Sequence, residues 1–534
     1  MVIADQMGMG KTFTTLKTID EACYTKNSNY KTLIICPLSL LEHWYRDSKN
    51  HLKDGNMSEY IQVYHGVGRT LCPSSRVVVT TYDVISREYN KMGLGAGDLS
   101  PLHGVNWENV VLDEAHVIRN LVTKKKSKES NHKAGVACMS LKRKFGYALT
   151  GTPFCNDITD IHSLLDFIRE DRKVLDNGSS DEWILRRCKD DHLGLPLCTE
   201  SVIFTDSTPE MDMYKMMYLK KGSTAAENIK IGDAYERAKA CMRVVTCALR
   251  IRQLSDSPFL LPDLSVKDIG PSSIVKRSPK IAKVRELVTK YVANGQKIVI
   301  FSKFVSCLKL VYKALEPMLI PLLFTGSMSR KERDEVLTKF KRNSHNYVLL
   351  ISIDCGGVGL NLTEATVVVL MEPWYNPFTE LQAQNRIDRI GQTQPTTVIR
   401  LVDNSIKSAD VWVRGIQQKK TEQASKLVKG LGKMTDSYQR GGDFSMRDFV
   451  TLFRNIEELK LSPIPEGFCE PHEDENHLNK QEMNVFNKIT RKRNKPTYKI
   501  IEKGGKKYKV KVTIKIVNTQ VFMTKNTPLI SDGV

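Results

Sequence analysis

The residue types best suited to chemistry sit in two short strings. In Met1-Val-Ile-Ala-Asp-Gln-Met-Gly-Met-Gly-Lys-Thr12 an apolar stretch runs into a glycine-bearing turn that ends in Lys11 and Thr12. Gly8 and Gly10 let a backbone approach an anion closely, N–H groups at a following helix start point toward it, Lys11 brings charge to outer phosphates, and the Thr12 hydroxyl is a ligand for a magnesium ion. The strict phosphate-loop pattern asks for glycine where Asp5 stands, so this string alone leaves open a glycine-rich turn that merely precedes a helix. The second string, Val110-Val-Leu-Asp-Glu-Ala-His116, ends an apolar run in two carboxylates. Asp113 is suited to hold the metal through its water, and Glu114 to orient and deprotonate an attacking water. ATP and a magnesium ion are therefore the expected cofactors, with Asp5, Gly8, Met9, Gly10, Lys11 and Thr12 around the nucleotide and Thr12 and Asp113 around the metal.

Such groups need a rigid frame. Phe13, Leu16, Lys17 and Ile19 follow the loop at helical spacing, and the carboxylates close an apolar strand, so strand, loop and helix stand in the order a phosphate cradle requires. Carboxylates at strand ends are where parallel sheets build their sites. A second series opens at Lys297-Ile-Val-Ile-Phe-Ser302 and continues through Leu323-Phe-Thr-Gly-Ser327 and Leu350-Ile-Ser-Ile-Asp-Cys-Gly-Gly-Val-Gly-Leu-Asn361. Near its end come Arg386 and Arg389, three apart, which on a helix would share a face and reach one phosphate together. Guanidinium groups offered from a second lobe would stabilise charge on a transferred phosphoryl group and tie hydrolysis to lobe closure.

At 534 residues the chain exceeds what one hydrophobic core can serve, so two or three domains are expected. Its 41% hydrophobic and 26% charged residues are those of a folded chain. No apolar run approaches the roughly 20 residues of a membrane helix, and no membrane partner is expected. The 12 cysteines never form Cys-x-x-Cys, so no structural zinc is expected and free thiols are the reading. A net charge of +20 favours a polyanionic partner. Eleven basic residues against one acid, Glu502, lie between Arg491 and Lys515.

The strings taken in order resemble helicase superfamily two, and its Swi/Snf branch in particular, over residues 1 to 430. Thr32-Leu-Ile-Ile-Cys-Pro-Leu-Ser-Leu-Leu-Glu-His-Trp44, Val77-Val-Val-Thr-Thr-Tyr82, Leu149-Thr-Gly-Thr-Pro-Phe154, Glu372-Pro-Trp-Tyr-Asn-Pro377 and Leu381-Gln-Ala-Gln-Asn-Arg-Ile-Asp-Arg-Ile-Gly-Gln392 match that branch in order and spacing. Within it, Trp107 to Asn120 is most similar to helicase-like transcription factors and baculovirus global transactivators. The resemblance implies an α/β fold: two RecA-like parallel-sheet lobes of the P-loop NTPase type, with a helical insertion and a basic C-terminal extension. It implies an N-terminal ATP-binding lobe over 1–168, truncated at its start, a helical insertion and linker over 169–275, a C-terminal helicase lobe over 276–430, and an extension over 431–534. Lys11, Asp113, Glu114, Arg386 and Arg389 become the catalytic set, and Gly359 and Gln382 join the nucleotide contacts. Pro37, Thr80, Thr81, Tyr82, Ser302, Thr325, Gly326, Ser352, Gly356 and Trp374 become the DNA-facing residues.

The implied activity is a DNA-dependent ATPase that translocates on double-stranded DNA in transcription regulation, chromatin remodelling or repair. Nucleosomes or DNA-bound proteins are further implied partners, and the nucleus, or a host nucleus for a viral chain, is the implied location. The chain departs from the family at Gln6, Cys155, Asn385 and Asp388, none of which removes a phosphate, metal or water contact. The family also carries an adenine-reading glutamine segment before the loop. Its absence before Met1 keeps open a DNA-binding transactivator or scaffold with vestigial hydrolysis. Beyond residue 430 the resemblance fades. There Tyr508-Lys-Val-Lys-Val-Thr-Ile-Lys-Ile516 predicts a strand with one basic face, paired through Gly504-Gly505 with Tyr498 to Ile501, serving nucleic-acid binding, nuclear import or edge protection.

Overall fold

Runs such as Thr32-Leu-Ile-Ile-Cys36 and Val77-Val-Val-Thr-Thr81 are apolar or β-branched without alternation, which suits strands covered on both faces. The computed structural model describes residues 1–25, 30–51, 60–92, 100–118, 130–151, 159–169, 180–187, 194–231, 233–264, 269–342, 347–356, 360–405, 407–418, 452–453, 497–503, 506–517 and 520–525. In it these runs are fully buried strands of a seven-stranded parallel sheet. Its members are β1 (Val2–Ile3), β2 (Thr32–Cys36), β3 (Ile61–Val63), β4 (Val77–Thr81), β5 (Trp107–Asp113), β6 (Arg143–Leu149) and β7 (Ile184–Leu185), in the order β3-β4-β2-β5-β6-β1-β7. Every pairing in it is parallel. Apolar side chains pack on both faces, around Leu33, Val110 and Leu112 on one and around Leu16, Ile34, Trp44 and Val111 on the other.

The second series forms a six-stranded sheet from β8 (Cys198–Thr205), β9 (Ile298–Ser302), β10 (Leu322–Phe324), β11 (Val348–Ser352), β12 (Val367–Leu370) and β13 (Thr396–Asp403), ordered β10-β11-β9-β12-β13-β8. From β10 to β13 its pairings are parallel. The chain thus has two parallel-sheet α/β lobes, as its sequence predicts. The frame delivers the site because parallel strands all end on one edge: β1 pairs with β6 at Val2↔Ala148, and β5 pairs with β6 at Asp113↔Leu149. The loop after β1 and the carboxylates after β5 therefore open on the same side.

The chain divides into two compact units. Met1–Ile203, Val284–Leu401 and Val413–Gly442 form one, which holds most of both sheets; Phe204–Lys283, Val402–Trp412 and Asp443–Val534 form the other. In the second, Pro209–Ile231 and Ala234–Asp256 are helices, and Asp233 caps the latter by accepting from the Tyr235 and Glu236 N–H groups at 2.9 Å each. Phe453 lies against Gly222, where a Cβ would come within 2.2 Å of its ring. The predicted hairpin is present: β14 (Thr497–Lys503) pairs antiparallel with β15 (Lys506–Val517), Ile501 opposite Tyr508. A third strand, β16 (Gln520–Lys525), which sequence reading did not foresee, pairs with β15. Among the described residues no helix is long and apolar enough to cross a membrane.

Candidate active site

The loop after β1 turns where its glycines permit. Gly8 and Gly10 have φ of 86° and 78°, a backbone that a side chain at either position would strain. Helix α1 (Lys11–Thr25) starts at the loop's end, so its first N–H groups face the turn. Lys11 Nζ donates to the carbonyl oxygens of Asp5 at 2.8 Å and Gln6 at 3.3 Å, folding across the loop that would hold phosphates. Burial pulls the Lys11 ammonium below its ordinary value, and the carboxylates of Glu114, Asp113 and Asp5 oppose that shift. Met9 is buried and Thr12 half-buried. Met7 packs onto Gly151 in the turn after β6, where an added Cβ would meet it at 2.5 Å. The rest of that turn, from Thr152, lies outside the described residues.

Asp5, which replaces the expected glycine, has its carboxylate engaged within the protein. That group is wholly buried and taken by Arg187, whose guanidinium meets Asp5 Oδ2 at 2.5 Å and whose N–H meets Oδ1 at 2.9 Å. Arg186 donates to Ala4 O at 3.1 Å beside it. An acid in a glycine position is the signal that could have pointed to a cation elsewhere in the chain. Removing that cation should be visible: Arg187→Ala strands a buried carboxylate. It should lower stability by about 2 kcal/mol, a partner that is one-third exposed reducing the effect. ATP affinity should fall several-fold, measured by thermal unfolding and nucleotide titration.

At the end of β5, Asp113 is buried and both carboxylate oxygens carry a donor: the Glu114 N–H to Oδ1 at 2.9 Å and the Trp44 indole N–H to Oδ2 at 2.7 Å. Burial, then the neighbouring Glu114 charge, push the Asp113 carboxyl up. Each oxygen keeps a free lone pair, and with the Thr12 hydroxyl this set suits magnesium, which retains waters and takes further oxygens from phosphates. Glu114 sits at φ 50°, in the left-handed region that a glutamate seldom occupies, which re-aims its side chain away from the strand direction. His116 Nδ1 lies 3.2 Å from Glu114 Oε2. Burial pushes Glu114 up, but His116, Lys11 and Arg386 outweigh it and hold the carboxyl below its ordinary value.

Arg386, although far along the chain, thus acts electrostatically on this candidate site. The helix predicted to carry both arginines ends early, however. It spans Pro377–Gln384, and Arg386 and Arg389 follow in turns. Arg386 and Glu114 are close enough to shift each other, and burial brings the Arg386 guanidinium down to about 10. The acid acting on Arg389 is instead Asp47, on helix α2 (Leu41–His51). The turn also brings Ile390 to the loop, its Cδ1 3.5 Å from where a Gly10 Cβ would be. Gln382 is half-buried on the short helix, and Gly359 lies outside the described residues.

The DNA-facing set divides. Gly326 is exposed, and Pro37 and Trp374 are half-buried; Gly356 ends a short helix, Ile353–Gly356. Thr80, Thr81, Tyr82, Ser302, Thr325 and Ser352 are buried. Thr80 Oγ1 donates to Tyr64 O at 2.8 Å, Ser302 Oγ to Glu372 Oε1 at 3.2 Å, and Tyr82 Oη to Asp113 O at 2.7 Å. These three hydroxyls bond to acceptors within the protein.

A phosphate-type loop, a carboxylate pair and an arginine delivered from the second lobe define a P-loop nucleotide hydrolase of two-lobed, helicase-like build. Comparison with known proteins agrees. Residues 1–177 match the SNF2-related domain and residues 279–391 the helicase conserved C-terminal domain. A probable global transactivator of Orgyia pseudotsugata multicapsid polyhedrosis virus is 31% identical over 80% of this chain and 86% of its own length. The ISWI chromatin-remodeling complex ATPase of Saccharomyces cerevisiae is 26% identical over 87% of this chain, which spans 42% of the yeast protein. A solved structure of the Sulfolobus solfataricus SWI2/SNF2 ATPase core in complex with dsDNA is 26% identical, covering 80% of this chain and 88% of that one, with a TM-score of 0.36. The chain belongs to the SNF2-related family of helicase-like, DNA-dependent ATPases. Its class uses ATP and is involved in chromatin remodelling, repair or transactivation.

Proposed function

We propose that this chain is an ATP-driven translocase on double-stranded DNA, acting in the nucleus on DNA-bound proteins or nucleosomes. The proximity of Arg386 from the second lobe to Glu114 of the first supports this reading most, because it makes hydrolysis depend on how the lobes meet. Lys11 neutralises the outer phosphates, and Thr12 and Asp113 would hold a magnesium ion, which would polarise the phosphoryl group when bound. Glu114, kept ionised, orients water and takes its proton, and Arg386 balances charge gathering on the phosphoryl oxygens. Arg389 lies instead within electrostatic reach of Asp47. The net charge of +20 suits a polyanionic track, and the chromatin-remodelling and transactivating relatives favour DNA. The organisation we assign is an ATP-binding lobe over 1–168, a helical insertion over 169–275, a second lobe over 276–430 and a basic extension beyond.

Turnover of ATP by the intact chain should rise with duplex DNA and fall to background in Lys11→Ala. Equal rates with and without duplex, or in the intact chain and the variant, would reject the proposal and leave a DNA-binding scaffold. Stronger stimulation by RNA would make the chain an RNA helicase instead.

A further inference from the structure

Two side chains outside the chemistry converge on Asp113, and both come from segments next to the sheet edge. Trp44 lies on α2, which follows the turn Leu38–Leu40, whose first two residues are exposed; its own side chain is buried, and its indole N–H meets Asp113 Oδ2 at 2.7 Å. Tyr82 opens helix α3 (Tyr82–Met92) directly after β4, is buried, and donates its hydroxyl to Asp113 O at 2.7 Å. With the Glu114 N–H on Oδ1, the residue is held at both carboxylate oxygens and at its backbone carbonyl. A carboxylate free to rotate about its last bond would sample orientations that cannot face a metal. The two donors on the carboxylate remove that freedom, and the third holds the backbone that carries it.

We propose that Trp44 and Tyr82 are positioning residues that fix the orientation of the Asp113 carboxylate for metal–nucleotide binding. Neither touches the reacting atoms. Trp44 acts on the carboxylate itself, and Tyr82 on the backbone that carries it, so the effect of Trp44 is the larger. Trp44 follows a turn whose first two residues are exposed and Tyr82 follows β4 directly, so a ligand that shifts α2 or α3 would also shift Asp113. The inference rests on the reading of Asp113 as a metal-holding group.

The test uses the intact chain with Trp44 replaced by benzothienylalanine, which keeps the bicyclic shape and lacks the N–H donor, alongside Trp44→Phe, Tyr82→Phe and Asp113→Ala. Binding of manganese in the presence of a non-hydrolysable ATP analogue is followed by electron paramagnetic resonance, and unfolding temperature is measured in parallel. The expected result is about tenfold weaker manganese binding for the isosteric replacement, at unchanged unfolding temperature, and a smaller loss for Tyr82→Phe. Affinity unchanged in the isosteric variant but lost in Asp113→Ala would overturn this inference alone. Affinity unchanged in both would overturn it together with the assignment of Asp113.

Discussion

Replacing Arg386 with alanine should lower DNA-stimulated ATP turnover by about three orders of magnitude while changing the ATP concentration for half-saturation little. Arginines supplied to a transferred phosphoryl group contribute on the order of 10³ to 10⁵ in rate, and they do so where charge develops rather than where substrate first binds. The structure puts Arg386 in electrostatic reach of Glu114, in a setting dry enough to depress its own guanidinium. Among the described residues its Nε has no hydrogen-bond partner, and leaving a buried donor unsatisfied is expensive unless a ligand completes it. Arg386→Lys should recover little, because an ammonium cannot reproduce the planar fork. Arg389→Ala should cost less, since the acid acting on Arg389 is Asp47 rather than the carboxylate pair. Steady-state turnover with duplex DNA, measured for the three variants, decides the order. An equal loss in Arg386→Ala and Arg389→Ala would show that the two act as one unit at the phosphate.

Lys11, Asp113 and Glu114 could be singled out as candidates because the signal is local: a lysine after a glycine turn and two acids after an apolar strand are each written within a dozen residues. The strands were legible for the same reason, as short buried runs carry their own signal. The helix expected under Arg386 and Arg389 was not, because long-range hydrogen bonds end it. Asn385 leaves helical geometry at ψ 7°, and the Leu362 N–H takes the Arg386 carbonyl at 3.0 Å. The Gln392 side-chain amide donates to the carbonyls of Ile387, Thr363 and Ala365. No periodicity in the string reports a carbonyl captured from elsewhere. The same limit applies to Thr80, Ser302 and Tyr82, where a hydroxyl at a strand end looks alike whether it faces out or bonds inward. Arg187 and Trp44 were missed because the first is paired with an acid 182 residues earlier and the second reads as an ordinary core aromatic.

Lys280→Met should destabilise the unit built from Phe204–Lys283 and Val402–Trp412 by about 3 to 5 kcal/mol, the cost of removing one partner from a buried ion pair. Lys280 is 1% exposed and meets Asp256 at 2.8 Å and Asp410 at 2.6 Å, both carboxylates being as deeply buried. Burial works against the ammonium, but the two acids outweigh it and hold Lys280 well above its ordinary 10.5. A raised lysine contributes stability that is complete below that ordinary value and is lost only as pH climbs through the folded one, so the intact cluster should hold across the neutral range. Asp256 is the weaker partner on the acid side: burial, helped by Asp410, pushes its carboxyl up to about 6. Without the lysine Asp256 loses its main opposing cation, leaving the weaker influence of buried Arg252, and its carboxyl rises further. Folded carboxyls raised above their unfolded values bind protons more readily than unfolded ones, so the variant should regain stability as pH falls from about 8 to 5. The intact chain should gain less over that window. Lys280→Met combined with Asp256→Asn and Asp410→Asn should recover much of the loss at neutral pH, because the two carboxylates are then no longer charged and without the lysine. Urea unfolding of the three chains at several pH values measures this. A Lys280→Met variant whose stability does not change with pH would show that the loss comes from packing rather than from stranded charge.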